Sequence, residues 1–489
     1  MGARSLLALL GAPLLLSACT VGPDYRVPTA PLAAQWSKAS VGTPAVPSDL
    51  ATWWRGFHDA TLDKLVDRAI AGNLDLQLAQ ARIREARASR VSTASALWPS
   101  LTGTASGTRS HGVAGAAGSG AEGGGPGGGS GKPQIVTQNL FQVGLDSIWE
   151  LDIFGGTRRN IESAGANLAA TVEDQRATLV SLLGELATDY VDLRSAQARL
   201  QIARDALTSE KDTLALTQAK LQAGLGSALD VAQAQAAVAT TRAAIPGLQT
   251  TARESIHALS VLTGAPPETL ASELAPSAPV PVLSTAVTLG LPAELLRHRP
   301  DVRAAERRVA KANADIGVAV ANEYPSFSLT GSVGLNASRI SDLGDTTART
   351  WSFGPSVTLP IFNAGKLAAD VDVNRALWDQ AVITYRSTVL AAAQEVEDAI
   401  TSYENEREHQ TTLGQSVVSY RDALSLSRDL YSRGLTSFLN VLDAERSLYT
   451  TQDQLAQSDA ALSTDMVALF KALGGGWAED KAPAEARAW

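Results

Sequence analysis

The stretch that decides the fold is residues 179–221, which read LVSLLGELATDYVDLRSAQARLQIARDALTSEKDTLALTQAKL. Leucine occupies every seventh position of this stretch: Leu179, Leu186, Leu193, Leu200, Leu207, Leu214 and Leu221. A strict seven-residue apolar repeat is typical of a helix that supercoils against its neighbours. Because the chain has no proline from Arg158 to Ala223, we expect one uninterrupted helix there, roughly 100 Å long. A simple coiled-coil spacer would have the same seven-residue repeat, so the surrounding segments are needed to distinguish it from other structures with long helices.

A second segment of this kind lies in the other half of the chain, from Lys366 to Arg433. It also has no proline, and its seven-residue row consists of Val382, Val389, Val396, Tyr403, Val417, Leu424 and Tyr431. The two segments end alike, because Gly224-Leu225-Gly226-Ser227 follows the first and Gly434-Leu435-Thr436-Ser437 follows the second. We therefore interpret Gly224 and Gly434 as the turns at which two long rods reverse direction.

Shorter helices are predicted around the rods from apolar residues at helical spacing. Their ranges are Leu62–Ser95, Ala228–Leu262 with a disturbance at Pro246, Ala293–Asn322, and a last helix that closes at Gly474. The two shorter helices of the first half together are about as long as one rod. We expect them to stack end to end beside it.

Two pairs of short segments alternate apolar and polar residues, which suits strands with one apolar face. In the first half the apolar positions are Leu101, Gly103, Ala105, Phe141, Val143, Leu145, Trp149 and Leu151. In the second half they are Phe327, Leu329, Gly331, Val333, Leu335, Trp351, Phe353, Val357 and Leu359. Between the first two strands, residues 111–132 are nearly all Gly, Ala and Ser, which indicates a flexible exposed turn.

These strands resemble membrane β-strands of about 9–11 residues, with aromatic residues on the apolar side. Four strands cannot close a barrel, and open sheet edges are not tolerated in lipid. The missing strands must then come from other copies of the chain, two copies giving eight strands and three giving twelve. An edge of a soluble β-sandwich would alternate in the same way, but the long rods and the export signal argue against it.

The export signal is the only long apolar run, Leu6–Leu16, which follows Arg4. A basic start, a short apolar core and small residues at a cut site are typical of a secretory signal. Leu16-Ser17-Ala18-Cys19 resembles the bacterial lipobox, in which the cysteine is lipidated and becomes the mature N-terminus. Thr20 follows instead of the aspartate of an inner-membrane retention signal, which implies the outer membrane. An ordinary cleavage site is the simpler alternative.

The two halves form one unit that is duplicated, since helix, two strands, long rod, turn and helix occur twice. The predicted organisation is a signal peptide at 1–18, a lipidated extended segment at 19–56, a first repeat at 57–275, a Pro-rich linker at 276–292, a second repeat at 293–476 and a tail at 477–489.

No constellation of residues suggests catalysis or a cofactor. The five histidines are scattered and none has a metal-ligand partner at i+4: His58, His111, His257, His298 and His409. The chain has one cysteine, so neither a disulfide framework nor a thiolate metal cluster is possible. A net charge of −9 argues against a nucleic-acid partner. We expect no enzyme activity, no cofactor and no metal site.

Two further motifs resemble a known family. The start Cys19-Thr20-Val21-Gly22-Pro23-Asp24-Tyr25 is similar to that of the TolC-like outer-membrane factors. The run Leu295-Leu296-Arg297-His298-Arg299-Pro300-Asp301-Val302, continuing to Pro325-Ser326-Phe327, resembles their multidrug-efflux branch. The resemblance covers nearly the whole mature chain.

This resemblance implies a fold, a location and partners. The fold is mainly α with a small membrane β-barrel: a homotrimer forms a twelve-stranded barrel, four strands per chain, that continues as a long α-helical tunnel. The protein would be a passive duct in the outer membrane, lipid-anchored through Cys19, with most of its mass in the periplasm. Its partners would be a periplasmic adaptor and an inner-membrane pump of the RND type. A trimeric envelope-spanning scaffold or adhesin lipoprotein that conducts nothing is the alternative.

In TolC-like proteins polar bonds between neighbouring helices close the periplasmic entrance. The family's tyrosine before the second turn matches Tyr431, and its aspartate after the first turn matches Asp230. Its two inward aspartates fall at Asn440 and Asp443, so one of them is an amide here. The basic gate residue of TolC itself is Thr436. The resemblance thus implies a Tyr431–Asp230 latch, whereas ordinary helix capping by Asp230 is the plainer interpretation.

Overall fold

The computed structural model describes residues 20–29, 50–113, 135–282 and 297–478. Several predictions fall outside these ranges and stay predictions. They are the signal peptide, Cys19, most of the Gly-rich loop, the end of the Pro-rich linker and the C-terminal tail. Among the described residues, no helix combines the length and the apolar character that crossing a membrane requires.

The elements of the first half follow the predicted order. They are α1 (Ala60–Gly72), α2 (Leu74–Ala94), β1 (Ser100–Val113), β2 (Ile135–Leu151), α3 (Gly156–Gln222) and α4 (Ala228–Leu262). A short helix, α5 (Ala271–Leu274), comes next. The second half repeats the order as α6 (Pro300–Ala321), β3 (Ser326–Ala337), β4 (Arg349–Thr358), α7 (Lys366–Ser432) and α8 (Phe438–Ala472). The two rods, α3 and α7, have 67 residues each.

The predicted first helix is wrong in one respect, because it is two helices separated at Asn73. The Asn73 side chain accepts hydrogen bonds from the N–H groups of Asp75 and Leu76, at 2.9 and 3.1 Å. It thereby caps the start of α2, as asparagine commonly does at helix N-termini. Its amide also donates to the Leu262 carbonyl at the end of α4, at 3.0 Å. The break therefore places the start of α2 against the end of α4, while α1 shares a buried core with the last turns of α4; the predicted end-to-end stacking of two unbroken helices is not what the structure has.

Three other features differ from expectation. The predicted helix Ala293–Asn322 is interrupted at Arg299, which is not helical although Arg297 and His298 before it are, and α6 begins at Pro300, since proline suits the first helical position. The predicted start at Ala293 lies outside the described residues. Helix α4 runs through Pro246 without interruption, since this residue lies on an exposed face where water satisfies the freed carbonyl. Residues 111–113 belong to β1 and not to the Gly-rich loop.

The chain divides into two compact units. The first contains residues up to Val27, Ala86–Leu168 and Arg308–Ala381, and its centre is an antiparallel sheet in the order β1-β2-β3-β4. The described N-terminal residues belong to this unit. The buried Arg159 side chain donates to the Val21 carbonyl at 3.1 Å and forms an ion pair with Asp24 at 3.1 Å. These bonds hold the start of the described chain against the sheet-bearing unit.

The second unit contains Pro28–Glu85, Ala169–Arg307 and Val382–Trp489. Its core joins α1, α3, α4 and α8 through buried apolar side chains, among them Leu62, Leu65, Leu183, Leu186, Leu193, Leu259 and Phe470. Three of the seven leucines in the repeat, Leu179, Leu186 and Leu193, pack in or against this core. The ends of both rods, α3 and α7, and the starts of α4 and α8 also lie in this unit.

Candidate functional site: the paired hairpin ends

The two rods end in the same backbone turn. The Gly224 N–H donates to the Leu221 carbonyl at 3.0 Å, and the Leu225 N–H donates to the Lys220 carbonyl at 2.8 Å. The equivalent bonds at Gly434 and Leu435 measure 3.0 and 2.9 Å. This pattern requires a left-handed residue after the helix, and Gly224 and Gly434 have φ of +74° and +75°. The structure thus places both glycines at the turns where the sequence predicts that the rods reverse.

The helices that follow the turns start differently. At α4, the Asp230 N–H donates to the Ser227 hydroxyl at 3.2 Å, and the Ser227 N–H donates to the Asp230 carboxylate at 3.4 Å. This is a capping box. At α8, Ser437 makes no side-chain cap, and Asn440 donates instead to the Thr436 hydroxyl at 2.6 Å. Asp230 therefore has the capping role that the plainer sequence interpretation gives it.

Tyr431 is buried at the end of α7, in an apolar cluster with Ala234, Leu424, Phe438, Val441 and Ala444. The Lys220 ammonium group donates to the Tyr431 carbonyl at 2.6 Å and lies 4.4 Å from the centre of the Tyr431 ring. Lys220 therefore joins the last turn of α3 to the last turn of α7 by a charge-assisted hydrogen bond and a cation–π contact.

The predicted hydrogen bond between Tyr431 and Asp230 is absent from the described residues of one chain. The Tyr431 hydroxyl is buried and has no partner among them. Burial and then the nearby Asp230 charge raise the pKa of Tyr431, so the hydroxyl keeps its proton. Asn440 and Asp443 lie one turn apart on α8 and are exposed. The gate role of all four residues stays a prediction.

A network that the sequence did not reveal lies behind Tyr431 along the hairpins. Arg428 on α7 forms an ion pair with Glu445 on α8, whose side chain is only 5% exposed. The same guanidinium donates to the Ser209 carbonyl at 3.2 Å and to the Thr213 hydroxyl at 3.1 Å. Thr213 in turn donates to Glu445 at 2.6 Å. The network therefore connects the α7–α8 hairpin to α3.

Glu210 extends this network toward α4. The Thr241 hydroxyl donates to one Glu210 oxygen at 2.8 Å, while the other oxygen is buried without a partner among the described residues. Burial is the main cause that raises the pKa of Glu210, and the negative charge of Glu445 adds to it. Both causes disfavour the charged form of the Glu210 side chain.

One sequence signal points to the network. Phe438, Val441, Glu445 and Leu448 occupy the positions i, i+3, i+7 and i+10 of α8, so Glu445 interrupts an apolar stripe that packs inward. A carboxylate in such a stripe needs a buried partner. The identity of Arg428, Ser209 and Thr213 as partners depends on how the hairpins pack, which a single sequence does not show.

Replacing the unpaired carboxylate should stabilise the protein at neutral pH. The pKa of Glu210 in the folded chain lies above its ordinary value of 4.5. Its contribution to the free energy of unfolding is therefore fully present below pH 4.5 and is lost as the pH rises through the folded pKa. Glu210→Gln keeps an acceptor for Thr241 and removes the charge. We expect a higher midpoint of guanidinium unfolding for the variant at pH 7.5, and no difference at pH 4.

A variant that is no more stable than the wild type at pH 7.5 would contradict this account of Glu210. Thr240→Ala is the matched control, because the Thr240 hydroxyl bonds only within its own helix, to the Ala236 carbonyl at 2.9 Å. We expect its unfolding midpoint to differ from that of the wild type by the same small amount at both pH values.

Comparison with known proteins shows the family. The family described as "Outer membrane efflux protein" matches residues 65–265 and 291–475. The chain belongs to this family. It is 36% identical over 479 residues to nodulation protein T of Rhizobium leguminosarum bv. viciae, covering 97% of this chain and 94% of the relative. It is 34% identical over 472 residues to the solvent efflux pump outer membrane protein SrpC of Pseudomonas putida, covering 95% and 97%.

The solved structure of the outer-membrane channel OprN has the same fold. It aligns with a TM-score of 0.85 and 38% sequence identity, covering 94% of this chain and all of OprN. The predicted TolC-like fold is thereby confirmed. This outer membrane efflux protein is a channel of the outer membrane that serves efflux. Among the described residues, no group of three or more His, Cys, Asp or Glu side chains could hold a metal ion.

Proposed function

We propose that this efflux protein is the passive duct of a tripartite pump, that it works as a homotrimer, and that its paired hairpin ends form a gate at the periplasmic entrance. It does no chemistry of its own and has no cofactor. The relatives whose names describe efflux pump proteins support the pump. The single observation that supports the gate best is the polar connection between the two hairpins, in which Lys220 and Arg428 each bridge α3 and α7.

The gate proposal rests on how these bridges are built. Lys220 bonds the backbone of the last turn of α7, and Arg428 bonds the backbone of α3. Because each bridge has a polar or charged partner on the other rod, moving the hairpins apart would leave buried groups unpaired. Opening of the entrance would then require these bonds to break. Tyr431 and Asp230 would join the same closure across the assembled trimer.

The tips of both hairpins are apolar and exposed, and we assign them to the periplasmic adaptor. Four leucines stand there with 61–77% of their surface exposed: Leu225, Leu229, Leu435 and Leu439. The two tips have the same turn geometry, so a trimer would present six similar apolar knobs. An inner-membrane pump of the RND type would act through that adaptor.

The number of chains in the assembly can be measured directly from its mass. We expect protein purified in detergent to run at about three times the mass of the mature chain, since four strands per chain need partners at both sheet edges. Analytical ultracentrifugation with a density-matched detergent gives this mass. A well-behaved monomer with its strand content intact would contradict both the trimer and the duct.

We propose that a lipid on Cys19 anchors the protein, on the strength of the lipobox-like run Leu16-Ser17-Ala18-Cys19. The first described residue, Thr20, packs on Gly155, where an added Cβ would lie 2.8 Å from the Thr20 side chain. We expect the mass of the mature wild-type N-terminus to include acyl chains on Cys19, and Cys19→Ser to lack them while still forming trimers at lower yield. An unmodified Cys19 in the wild type would contradict the anchor.

The duct is tested in the bacterium by deleting the gene. We expect the deletion to increase sensitivity to at least one class of toxic small molecule, and the wild-type gene to restore resistance. Dyes, solvents, antibiotics and metal salts form a suitable panel. A scaffold or adhesin without conductance would leave every sensitivity unchanged, and that result would overturn the proposal.

A further inference from the structure

One face of the sheet in the first unit is apolar over its whole middle part. Odd-numbered residues of all four strands share this face, because the register pairs odd positions with odd positions and side chains alternate along a strand. Its exposed apolar side chains include Leu101, Val143, Leu145, Trp351, Phe353 and Val357. The other face is polar, with hydrogen bonds from Thr104 to Asp146 and between Ser332 and Ser352. The apolar face is therefore the one that meets lipid in the outer membrane.

The apolar part of this face matches the thickness of a membrane. On β3 it extends from Phe327 to Ala337, which is roughly 33 Å along the strand. At the tilt of about 40° that is usual for membrane strands, this length spans about 25 Å of the bilayer. Because β2 and β4 run toward the rods that follow them, the end of β3 is the outer end of the sheet. The hydrocarbon of the outer leaflet therefore ends close to Ala337.

Three arginines stand at this outer end. Arg109 is on β1, Arg339 follows the end of β3, and Arg349 is the first residue of β4. All three are exposed odd-numbered residues, and their side chains make no hydrogen bond or ion pair with any described residue. Within the described strands, the apolar face contains no Asp or Glu. Every ionised side chain that the strands place on the apolar face is thus an arginine near its outer end.

The closest acidic residues in the sequence lie in the turn between β3 and β4. Asp342 accepts a hydrogen bond from the Ser341 hydroxyl at 2.7 Å. Neither Asp342 nor Asp345 forms an ion pair with one of the three arginines in the part of the chain that the structure describes. The guanidinium groups are therefore available to an anion from outside the chain.

A groove of about 710 Å³ lies on the apolar face beside these arginines. Its lining crosses all four strands and includes Ala105, Val143, Leu145, Leu335, Trp351 and Arg349. Small residues make room for the groove, because Gly103 and the facing pair Gly144 and Gly334 have no side chains. An apolar groove with a guanidinium group in its lining fits a molecule that has both a hydrocarbon chain and an anionic group.

We propose that each chain binds one phosphorylated lipid of the outer leaflet, with an acyl chain in the groove and its phosphate groups bound by Arg109, Arg339 and Arg349. A guanidinium group binds phosphate through two parallel hydrogen bonds, which gives geometric specificity as well as charge. Two strand spacings, about 10 Å, separate β1 from β3, so long side chains from both strands reach one headgroup. The inference rests on the location in the outer membrane and not on the pump, the trimer or the gate.

Native mass spectrometry of the full-length protein in detergent measures this binding. The probe is lipid A with two phosphate groups, and dephosphorylated lipid A is the comparison. We expect the phosphorylated lipid to bind at least about tenfold more tightly, since losing even one hydrogen bond to a charged group weakens binding by about that factor. An excess of inorganic phosphate should not displace the lipid, because free phosphate has no acyl chain for the groove.

Two sets of substitutions separate the site from general charge effects. The test variant replaces all three arginines of the site: Arg109→Gln, Arg339→Gln and Arg349→Gln. The control variant replaces three exposed arginines of α2 and α7: Arg82→Gln, Arg87→Gln and Arg421→Gln. The test variant should bind both forms of lipid A equally, and the control variant should bind them as the wild type does. Because both variants lose the same charge, a difference between them belongs to the site.

Two single variants complete the test. Arg339→Gln changes a residue outside the strands, so it decides the matter if the test variant does not assemble, and it should weaken binding at least about tenfold. Val143→Trp should weaken binding by filling the groove, and unchanged binding would overturn the groove as the site of the acyl chain. Equal affinity of the wild type for both forms of lipid A, or an unchanged preference in the arginine variants, would overturn the phosphate site. Displacement by inorganic phosphate would overturn the lipid as its occupant.

Discussion

Glu445→Met is expected to destabilise the protein more than any other single change at the hairpin ends. The substitution leaves Arg428 facing Ser209 and Thr213 without the carboxylate that both Arg428 and Thr213 bond. Removing one partner of a buried ion pair should lower the free energy of unfolding by about 3 kcal/mol per chain. This figure is the lower end of the usual range, because Arg428 is one-third exposed. The midpoint of guanidinium unfolding in detergent measures the loss.

A matched control lies on α7, next to Arg428. Asp429 forms an exposed ion pair with Arg433 at 3.0 Å, and both side chains are about half exposed or more. Asp429→Met should therefore lower stability by at most about 1 kcal/mol. Arg428→Met combined with Glu445→Met should recover most of the loss, since an apolar pair leaves fewer unpaired charges. Equal effects of Glu445→Met and Asp429→Met would contradict the network.

Lys220→Met is expected to have the largest effect on the resting conductance. Lys220 donates to the Tyr431 carbonyl and lies over the Tyr431 ring. A hydrogen bond to a charged group contributes about 1.5–3 kcal/mol, so its loss at three symmetric sites should shift the balance from the closed to the open entrance at least about tenfold. Recordings from single trimers in a planar bilayer measure this shift.

Tyr431→Phe separates this bridge from the predicted latch. The substitution keeps the ring and the backbone carbonyl that Lys220 contacts and removes only the hydroxyl. If the hydroxyl bonds Asp230 in the assembled trimer, Tyr431→Phe and Asp230→Ala should both raise conductance and envelope permeability to large antibiotics such as vancomycin. Arg433→Met is the control, because Arg433 is exposed at the same helix end and should change neither.

Two outcomes would count against the gate. Unchanged conductance in Lys220→Met would show that the bridge does not hold the entrance. Unchanged conductance in both Tyr431→Phe and Asp230→Ala would remove those residues from the gate and leave Asp230 as the cap that its bonds to Ser227 show.

The sequence was sufficient for features that depend on local pattern. The predicted rods end within two residues of α3 and α7, because proline and the Gly-Leu turns mark helix ends in any context. The alternation of apolar residues located all four strands. The predicted range of α4, Ala228–Leu262, is the observed one, since Ser227 and Asp230 form a capping box that sequence alone can show.

Features that depend on packing were not predictable. Gly72-Asn73 is a local break signal that the prediction of one continuous helix passed over, since the Asn73 side chain caps α2 through Asp75 and Leu76. The bond from Asn73 to Leu262, 189 residues away, depends on packing and was not predictable. The Arg428–Ser209 bond spans 219 residues. In the sequence, Lys220 is an ordinary basic residue in a last helical turn. Its contacts with Tyr431 depend on the packing of α7 beside α3. The sequence thus predicts the turns of the candidate site, whereas the bonds between its side chains are seen only in the structure.

The conductance of purified wild-type trimers in a planar bilayer tests the central claim most directly. An efflux duct with a closed entrance should insert as discrete units that pass ions in small, uniform steps. Three exposed Asp443 carboxylates at the entrance should make the current cation-selective. Trimers of the expected mass that insert and pass no current, in the wild type and in Lys220→Met alike, would show that the protein is a scaffold and not a channel.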